Sequence, residues 1–338
     1  MELESKPICA IAISRHGART PSIMPKYEES FWREQLSTFE GHEKIHSQLT
    51  LKGENDMKEL GKKLHASYSH LIRDDQVMQN CRFYSTDYDR TKQSAHLVAL
   101  EFGAADPLTA VKFCNGQVDP LDPWVSIPEF PPKVSQFCRE NSVFLQELKR
   151  VDALKSRLID TIFKDHFSTR EFTWIDAYDV CFCASSNASA PNHEVASQLV
   201  REVTETVTRQ FNYMYFDSEI RKLAVGGLFG GLYNWFSIKS NFKFSLKENP
   251  PPLHVVDIDA SANFAFICCH DVNLLPLMAG LNWTVDSDEP FIAWPEFGFH
   301  IVFELMEDLR VVRIRDSRGK QKDMPIGDFL SLCAKESL

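Results

Sequence analysis

Residues 8–21 read ICAIAISRHGARTP, an apolar run that ends abruptly in arginine, histidine, glycine and proline. The apolar part, residues 8–13, is too short for a typical globular helix and is rich in β-branched side chains. These properties predict a strand that is covered on both faces, as in a parallel sheet. In open α/β sheets, ligands bind at the carboxyl ends of the strands. We therefore expect residues 15–21 to form part of a ligand site.

The side chains that follow this strand suit a phosphate group. Arg15 and Arg19 each carry a planar guanidinium that can hold two phosphate oxygens, and Gly17 lets the backbone approach an anion. His16 lies between the two arginines, and a neutral imidazole there can attack phosphorus because the guanidinium groups offset the oxyanion charge. An isolated Arg-His-Gly tripeptide would more often mark only a solvated strand end. The interpretation therefore needs support from the rest of the chain.

Length and charge limit the class of protein. The chain has 338 residues, of which 43% are hydrophobic, enough for one large domain with an insertion or for two intimate domains. A formal net charge of -10 argues against nucleic acid or an anionic membrane as a partner, because both reward clustered lysine and arginine. The longest apolar run, residues 223–236, is too short to span a bilayer. An anionic substrate must therefore be attracted by local arginines.

The cysteines and the start of the chain bear on the cellular compartment. The nine cysteines are an odd number, and Cys268 and Cys269 lie in an apolar run where they would pack as small hydrophobic side chains. Only seven residues precede the first predicted strand, too few for a secretory signal. We expect free thiols and a cytoplasmic protein.

Two further segments repeat the arrangement of a strand followed by polar residues. Residues 82–85 predict a short strand, followed by a turn that contains Arg90 and then by a helix. Residues 264–269 read FAFICC and predict a second strongly buried strand, which ends in His270 and Asp271 before an apolar helix over residues 274–281. Taken alone, Arg90 would more often be a surface residue, and the His-Asp pair would more often be a satisfied hydrogen-bonded pair.

The rest of the chain predicts an α/β fold with a mostly parallel sheet flanked by helices. Prolines between residues 120 and 132 indicate a boundary, and residues 123–215 predict a small, mainly helical inserted domain. Residues 1–122 and 216–338 would form the catalytic α/β domain. Residues 300–305 and 309–315 predict an antiparallel hairpin at one edge of the sheet.

Two pairs of residues have side chains that could bind a metal. His42 and His46 lie four residues apart, and Cys181 and Cys183 lie two apart. Neither pair belongs to a recognisable ligand set, so we predict no metal and no cofactor.

Three blocks of this sequence resemble the motifs of the histidine acid phosphatases, the family of the prostatic and lysosomal acid phosphatases and the bacterial phytases. The blocks are RHGARTP at residues 15–21, STDYDRT at residues 85–91 and CHDVNL at residues 269–274. Two positions depart from the family pattern: Tyr84 stands where an arginine is often found, and Val272 stands where threonine is usual. In the family, the region corresponding to residues 123–215 carries a cap that shapes substrate choice.

The resemblance implies a role for each residue of the blocks. His16 would be the nucleophile that becomes phosphorylated, and Asp271 would be the proton donor. The phosphate would be bound by Arg15, Arg19, Arg90 and His270. We therefore expect a metal-independent phosphomonoester hydrolase that acts on a small phosphorylated substrate.

Two alternatives stay open at this point. A phosphomutase of the other superfamily branch would use the same histidine chemistry, although its proton donor is usually a glutamate outside the second histidine motif. A catalytically inactive protein that binds a phosphorylated ligand is the other alternative. The sequence leaves the substrate and the oligomeric state open.

Overall fold

The computed structural model describes residues 6–24, 26–38, 44–72, 77–113, 119–163, 172–242, 255–284 and 291–337. Within these ranges the chain forms a seven-stranded sheet flanked by helices. The strands are β1 (Pro7–Arg15), β2 (Cys81–Ser85), β3 (Val111–Phe113), β4 (Phe264–Cys269), β5 (His300–Met306), β6 (Val311–Asp316) and β7 (Gln321–Pro325). The helices are α1 (Glu29–Glu34), α2 (Leu51–Tyr68), α3 (Val77–Asn80), α4 (Asp89–Glu101), α5 (Pro107–Ala110), α6 (Pro123–Ser126), α7 (Phe130–Glu140), α8 (Ser142–Arg150), α9 (Asp152–Thr161), α10 (Trp174–Ser185), α11 (His193–Phe216), α12 (Ser218–Ser240), α13 (Asp271–Gly280) and α14 (Ile326–Glu336).

The sheet has the strand order β3-β2-β4-β1-β5-β6-β7. Strands β3, β2, β4 and β1 are parallel, whereas β5, β6 and β7 add antiparallel pairs. The predicted α/β class and the parallel core are confirmed. The predicted hairpin is present as β5 and β6, but its position at the edge was wrong, because β5 pairs with β1 and β7 forms the edge.

Strand β1 lies inside the sheet because both of its faces are apolar. Cys9, Ile11 and Ile13 point into one hydrophobic core, and Ala10 and Ala12 point into a second core on the other face. Burial on both faces explains why this strand reads as a continuous apolar run. The position of β1 inside the sheet also means that the polar residues after Arg15 emerge at the carboxyl end of this strand.

Helix α2 holds the loop that follows β1. The hydroxyl of Thr50 caps the helix by accepting a hydrogen bond from the Gly53 N–H at 3.2 Å, and the Thr50 N–H donates to the Ala18 carbonyl at 3.0 Å. The approach is so close that a Cβ on Gly53 would lie 2.1 Å from the Ala18 carbonyl oxygen. A Cβ on Gly17 would lie 2.6 Å from the Gly53 carbonyl oxygen. Both positions therefore need glycine.

The predicted insertion, residues 123–215, is mainly helical in its described part. Buried side chains from this region, among them Phe130, Leu158 and Val203, belong to the same hydrophobic core as Ile11 and Ile13 of β1. The helical region therefore packs directly on the sheet, and its division into a separate domain stays a prediction. No helix in the described residues is long and apolar enough to cross a bilayer.

Candidate active site

The three sequence blocks meet at the carboxyl ends of neighbouring strands. Strands β2, β4 and β1 are parallel neighbours, with Ser85 paired to Cys268 and Arg15 paired to Cys269. Their carboxyl ends therefore lie side by side. Backbone hydrogen bonds lock the residues that follow: the His16 N–H donates to the Cys269 carbonyl at 3.1 Å, and the Thr86 N–H donates to the Cys268 carbonyl at 3.2 Å.

His16 is buried and has a defined tautomer. Its Nδ1 lies 2.8 Å from the Gly17 carbonyl oxygen, and because a carbonyl can only accept, Nδ1 must carry the proton. Its Nε2 is then unprotonated and accepts a hydrogen bond from Nε of Arg90 at 3.2 Å. Burial, followed by the charge of Arg90, holds the pKa of His16 well below its usual value of 6.5. The imidazole is neutral, and its Nε2 electron pair is the acceptor of the hydrogen bond from Arg90.

His270 lies beside His16, with 5.5 Å between ring centroids. Its Nδ1 is 3.3 Å from Nη2 of Arg90, which can only donate, and its Nε2 is 2.9 Å from the Thr86 hydroxyl oxygen. Arg90 therefore bridges the two imidazoles. Burial and the charge of Arg90 also hold the pKa of His270 well below 6.5. Burial lowers the pKa of Arg90 to about 10, so this guanidinium remains cationic at neutral pH.

Arg15 is almost fully buried, and protein groups occupy both of its terminal nitrogens. Nη1 donates to the Pro295 carbonyl at 2.7 Å and to the Tyr178 hydroxyl at 3.1 Å. Nη2 forms an ion pair with Oδ2 of Asp271 at 2.6 Å. The Arg15 guanidinium also lies 4.4 Å from the centroid of the Phe297 ring. These contacts define the plane of the guanidinium.

Arg19 is held in the same way. Nη1 donates to the Thr20 carbonyl at 2.9 Å, and Nη2 pairs with Oδ1 of Asp179 at 2.5 Å. Among the described residues, neither Nε of Arg19 nor Nε of Arg15 has a hydrogen-bond acceptor, although both atoms are buried. Each terminal nitrogen of Arg19 carries a second N–H beyond the contact named, and this is the donor capacity that Arg19 keeps for an anion.

Asp271 is the first residue of α13, where the helix dipole favours a negative charge. Its Oδ1 accepts a hydrogen bond from the Val272 N–H at 2.9 Å, while Oδ2 pairs with Arg15. The side chain is 15% exposed, compared with 5% for Asp179. Asp271 is thus the more accessible of these two carboxylates to a ligand.

The six predicted site residues therefore come together around one point. A family model described as histidine phosphatase superfamily (branch 2) matches residues 8–205, more than half of the chain. The chain belongs to this superfamily. No curated protein matches the sequence.

Solved structures of this superfamily fold are similar along the whole chain. The apo form of Hafnia alvei phytase superposes with a TM-score of 0.67 at 14% identity, covering 100% of this chain and 98% of the phytase. A phytase from Citrobacter braakii gives 0.63 at 14% identity, covering 98% of each chain. The Bifidobacterium longum multiple inositol polyphosphate phosphatase in complex with phosphate gives 0.64 at 12% identity, covering 100% of this chain and 94% of that one. At these identities the similarity shows the fold, and together with the family match it supports a phosphatase.

The two departures from the family pattern have different surroundings. The Tyr84 hydroxyl accepts a hydrogen bond from the Asp259 N–H at 2.9 Å, so this side chain fixes a neighbouring loop. Val272 supplies its N–H to Asp271 and has no hydroxyl to offer a ligand. Neither position adds a cation to the site of this histidine phosphatase.

Two residues outside the three sequence blocks also contact the site arginines, Tyr178 and Asp179 of α10, and the sequence did not predict them. They lie in the segment WIDAYDVCFCAS, which contains no recognisable motif. One property of the segment does indicate a contact. A carboxylate on an apolar helix, such as that of Asp179, needs a partner if it is buried. The segment alone does not tell which partner that is.

Proposed function

We propose that this protein is a phosphomonoester hydrolase that works through a phosphohistidine on Nε2 of His16. The observation that carries the proposal is the hydrogen bond from Nδ1 of His16 to the Gly17 carbonyl. It holds the proton on Nδ1 and leaves Nε2 without one. The Nε2 electron pair accepts a hydrogen bond from Arg90, which the phosphoryl group must displace. Nucleophilic catalysis requires this tautomer, because a protonated Nε2 has no electron pair for phosphorus.

The first step forms an N–P bond and breaks the P–O ester bond. The Nε2 electron pair of His16 attacks phosphorus, and the electron pair of the broken bond goes to the ester oxygen. Protonated Asp271 gives its proton to that oxygen, so that an alcohol leaves. Such proton transfer typically contributes about 10²–10⁴-fold to the rate.

The second step returns the site to its starting state. A water molecule attacks phosphorus while the Asp271 carboxylate takes one of its protons, and the N–P bond breaks to restore the Nε2 electron pair. Inorganic phosphate then leaves.

The arginines do the work that a metal ion does in other phosphatases. The guanidinium groups of Arg15 and Arg19 are held by ion pairs with Asp271 and Asp179, and Arg90 lies against both histidines. Preorganised donors of this kind stabilise the charge of the transferring phosphoryl group. This supports a reaction that needs no metal.

The proposed substrate class is a small phosphomonoester. The superfamily match supports a phosphorylated ligand, and structural neighbours include Hafnia alvei phytase in complex with myo-inositol hexakis sulphate. That ligand carries several anionic ester groups around a small ring. A panel of aryl, sugar and inositol phosphates would identify which alcohol this chain accepts.

The test is to trap the intermediate. Wild-type protein incubated briefly with a ³²P-labelled phosphomonoester and quenched should retain label that is stable in alkali and lost in acid. His16→Ala should retain none, whereas the control His65→Ala on α2 should match wild type. Label retained by His16→Ala at the level of the wild-type protein would contradict the assignment of His16 as the nucleophile.

The same experiment separates the two alternatives. A protein that binds inorganic phosphate but neither retains label nor releases phosphate from any substrate of the panel would be a binding protein. A protein that returns the label to another hydroxyl of the substrate, faster than to water, would be a phosphomutase. Either result would overturn the proposed hydrolase.

A further inference from the structure

Two consecutive residues of α10 contact the two arginines that flank the nucleophile. The Tyr178 hydroxyl accepts a hydrogen bond from Nη1 of Arg15 at 3.1 Å, and Oδ1 of Asp179 pairs with Nη2 of Arg19 at 2.5 Å. Tyr178 lies 163 residues further along the chain than Arg15. Helix α10 thus reaches the site from the mainly helical region, far from the three sequence blocks.

Asp179 also binds the loop that carries the arginines. Its Oδ2 accepts hydrogen bonds from the Ser22 N–H at 2.6 Å and from the Ser22 hydroxyl at 2.7 Å. The Asp179 carboxylate is buried, and each of its oxygens has a donor partner. A buried carboxylate is stable only when it is paired and hydrogen-bonded, and here both conditions are met by residues 19–22.

These contacts fix the orientation of both guanidinium groups. Each terminal nitrogen of Arg15 and of Arg19 contacts a protein group, and since each carries two N–H groups, Nη2 of Arg15 and both Nη atoms of Arg19 keep a further donor beyond the contact named. Neither guanidinium can turn without breaking at least one ion pair. Both guanidinium groups are therefore held in place before any ligand arrives.

We propose that Tyr178 and Asp179 are positioning residues, which hold the guanidinium groups of Arg15 and Arg19 in the orientation that binds phosphate. The inference rests on the proposed function in one respect, namely that the ligand of these arginines is a phosphate. Holding donors in advance removes the entropic cost of ordering them during binding and reaction. Asp179 also places a negative charge near an anionic ligand, so its orienting effect must outweigh this repulsion.

The direction in which one substitution changes the affinity for phosphate tests the inference. Asp179→Asn keeps the shape and can still accept a hydrogen bond from Ser22, but it loses the ion pair with Arg19. We expect its affinity for inorganic phosphate, measured by calorimetry, to fall about tenfold, as for loss of one charge-assisted hydrogen bond. Tighter binding would overturn the inference, because Asp179 would then be a competitor of phosphate for Arg19.

A matched control separates positioning from a general effect on stability. Glu147 of α8 is another buried carboxylate paired with an arginine, Arg150, at 2.6 Å. Glu147→Gln makes the same change of charge in the same helical region. It should leave phosphate affinity unchanged, whereas an equal loss in both variants would make the Asp179 effect merely structural.

A double substitution tests whether Asp179 acts through Arg19. In an Arg19→Ala background, Asp179→Asn should change phosphate affinity by less than about twofold, because coupled residues do not contribute additively. A further tenfold loss in that background would overturn the inference. If Asp179→Asn does not fold, Ser22→Ala, which removes one donor to Asp179, should weaken phosphate binding about twofold to threefold.

Tyr178→Phe removes only the hydroxyl that faces Arg15. It should weaken phosphate binding about threefold, since Pro295 and Asp271 still hold that guanidinium. For both α10 variants, kcat/KM with an aryl phosphate should fall in parallel with phosphate affinity. An unchanged affinity in both variants would overturn the inference.

The calorimetric measurement keeps the two proposals distinguishable. A wild-type protein without turnover, whose phosphate affinity still falls on Asp179→Asn, would contradict the hydrolase and support the role of α10. A wild-type protein with turnover and an Asp179→Asn variant of unchanged affinity would support the hydrolase and contradict the role of α10.

Discussion

The candidate site is built from two regions that differ in how they hold their residues. At the carboxyl edge of β2, β4 and β1, each site residue lies within a few positions of a buried strand, so the backbone of the sheet fixes it. On α10, Tyr178 and Asp179 reach the site through side-chain contacts alone. The residues assigned to the chemistry therefore follow the ends of buried strands, whereas those assigned to orientation come from a helix that is distant in the sequence.

The largest effect is expected at the strand edge, from Arg90→Ala. This change removes the donor that contacts both His16 and His270, and loss of one preorganised donor typically costs about 10²–10³ in rate. We expect kcat/KM for an aryl phosphate to fall by about that factor. The measurement is a steady-state phosphate-release assay.

Arg82→Ala is the matched control for this prediction. Arg82 lies near the start of β2, at the opposite end from Arg90, and pairs with Asp259 at 2.7 Å. It should change kcat/KM by less than about twofold, as expected for a partly exposed ion pair. A loss for Arg90→Ala no greater than that for Asp179→Asn would erase the difference between the two regions.

A smaller and more selective effect is expected from Asp271→Asn. The amide keeps the shape but cannot supply the acid proton, and an alkoxide needs that proton far more than p-nitrophenolate does. Phosphohistidine formation from an alkyl phosphate should therefore fall at least about tenfold more than from p-nitrophenyl phosphate, a gap of about 1.4 kcal/mol. Rapid-quench labelling of the protein measures both rates.

The comparison variant is again Asp179→Asn. As a positioning residue, Asp179 should affect the two substrates equally, because its contact with Arg19 does not involve the leaving group. Equal losses on both substrates for Asp271→Asn would remove this residue from the proton-donor role.

The smallest effect concerns stability and pH. Burial lowers the pKa of His16 and of His270 in the folded protein, whereas in the unfolded chain a histidine titrates near 6.5. Below about pH 6.5 the unfolded state binds more protons than the folded state, because its histidines become charged first. The free energy of unfolding therefore keeps its full value above about pH 6.5 and decreases as the pH falls. Each histidine contributes a slope that approaches about 1.4 kcal/mol per pH unit.

Urea unfolding at pH 7.5 and at pH 5.5, without phosphate, measures this loss. His16→Gln should reduce the difference in unfolding free energy between the two pH values by about 1 kcal/mol, the linkage expected for one histidine. Replacement of the exposed His46 should leave it unchanged. An equal difference in wild type and His16→Gln would show that burial at the strand edge does not hold the imidazole neutral.

The amino-acid sequence was enough to predict the parallel core, because a strand buried on both faces is a local apolar run whose following polar residues emerge at the ligand-binding end. The set of six site residues came from the resemblance of three motifs to the histidine acid phosphatases, since Arg90, His270 and Asp271 taken alone favour other interpretations. His16 follows β1 and His270 follows β4, so their proximity requires only that the two strands be neighbours. The antiparallel edge was predicted less well, since nothing in residues 300–315 reveals that β7 pairs outside β6.

Only the tertiary structure decided the tautomer of His16, the bridging position of Arg90 and the contribution of α10. The first depends on the distance from Nδ1 of His16 to the Gly17 carbonyl, and the second on the position of Arg90 in the first turn of α4. The segment around Asp179 specifies a helix through its apolar composition and its cap at Thr173. Its partner Arg19 is separated from it by most of the first half of the chain. A buried carboxylate requires a cation, but which cation it meets is determined by how the helices pack on the sheet.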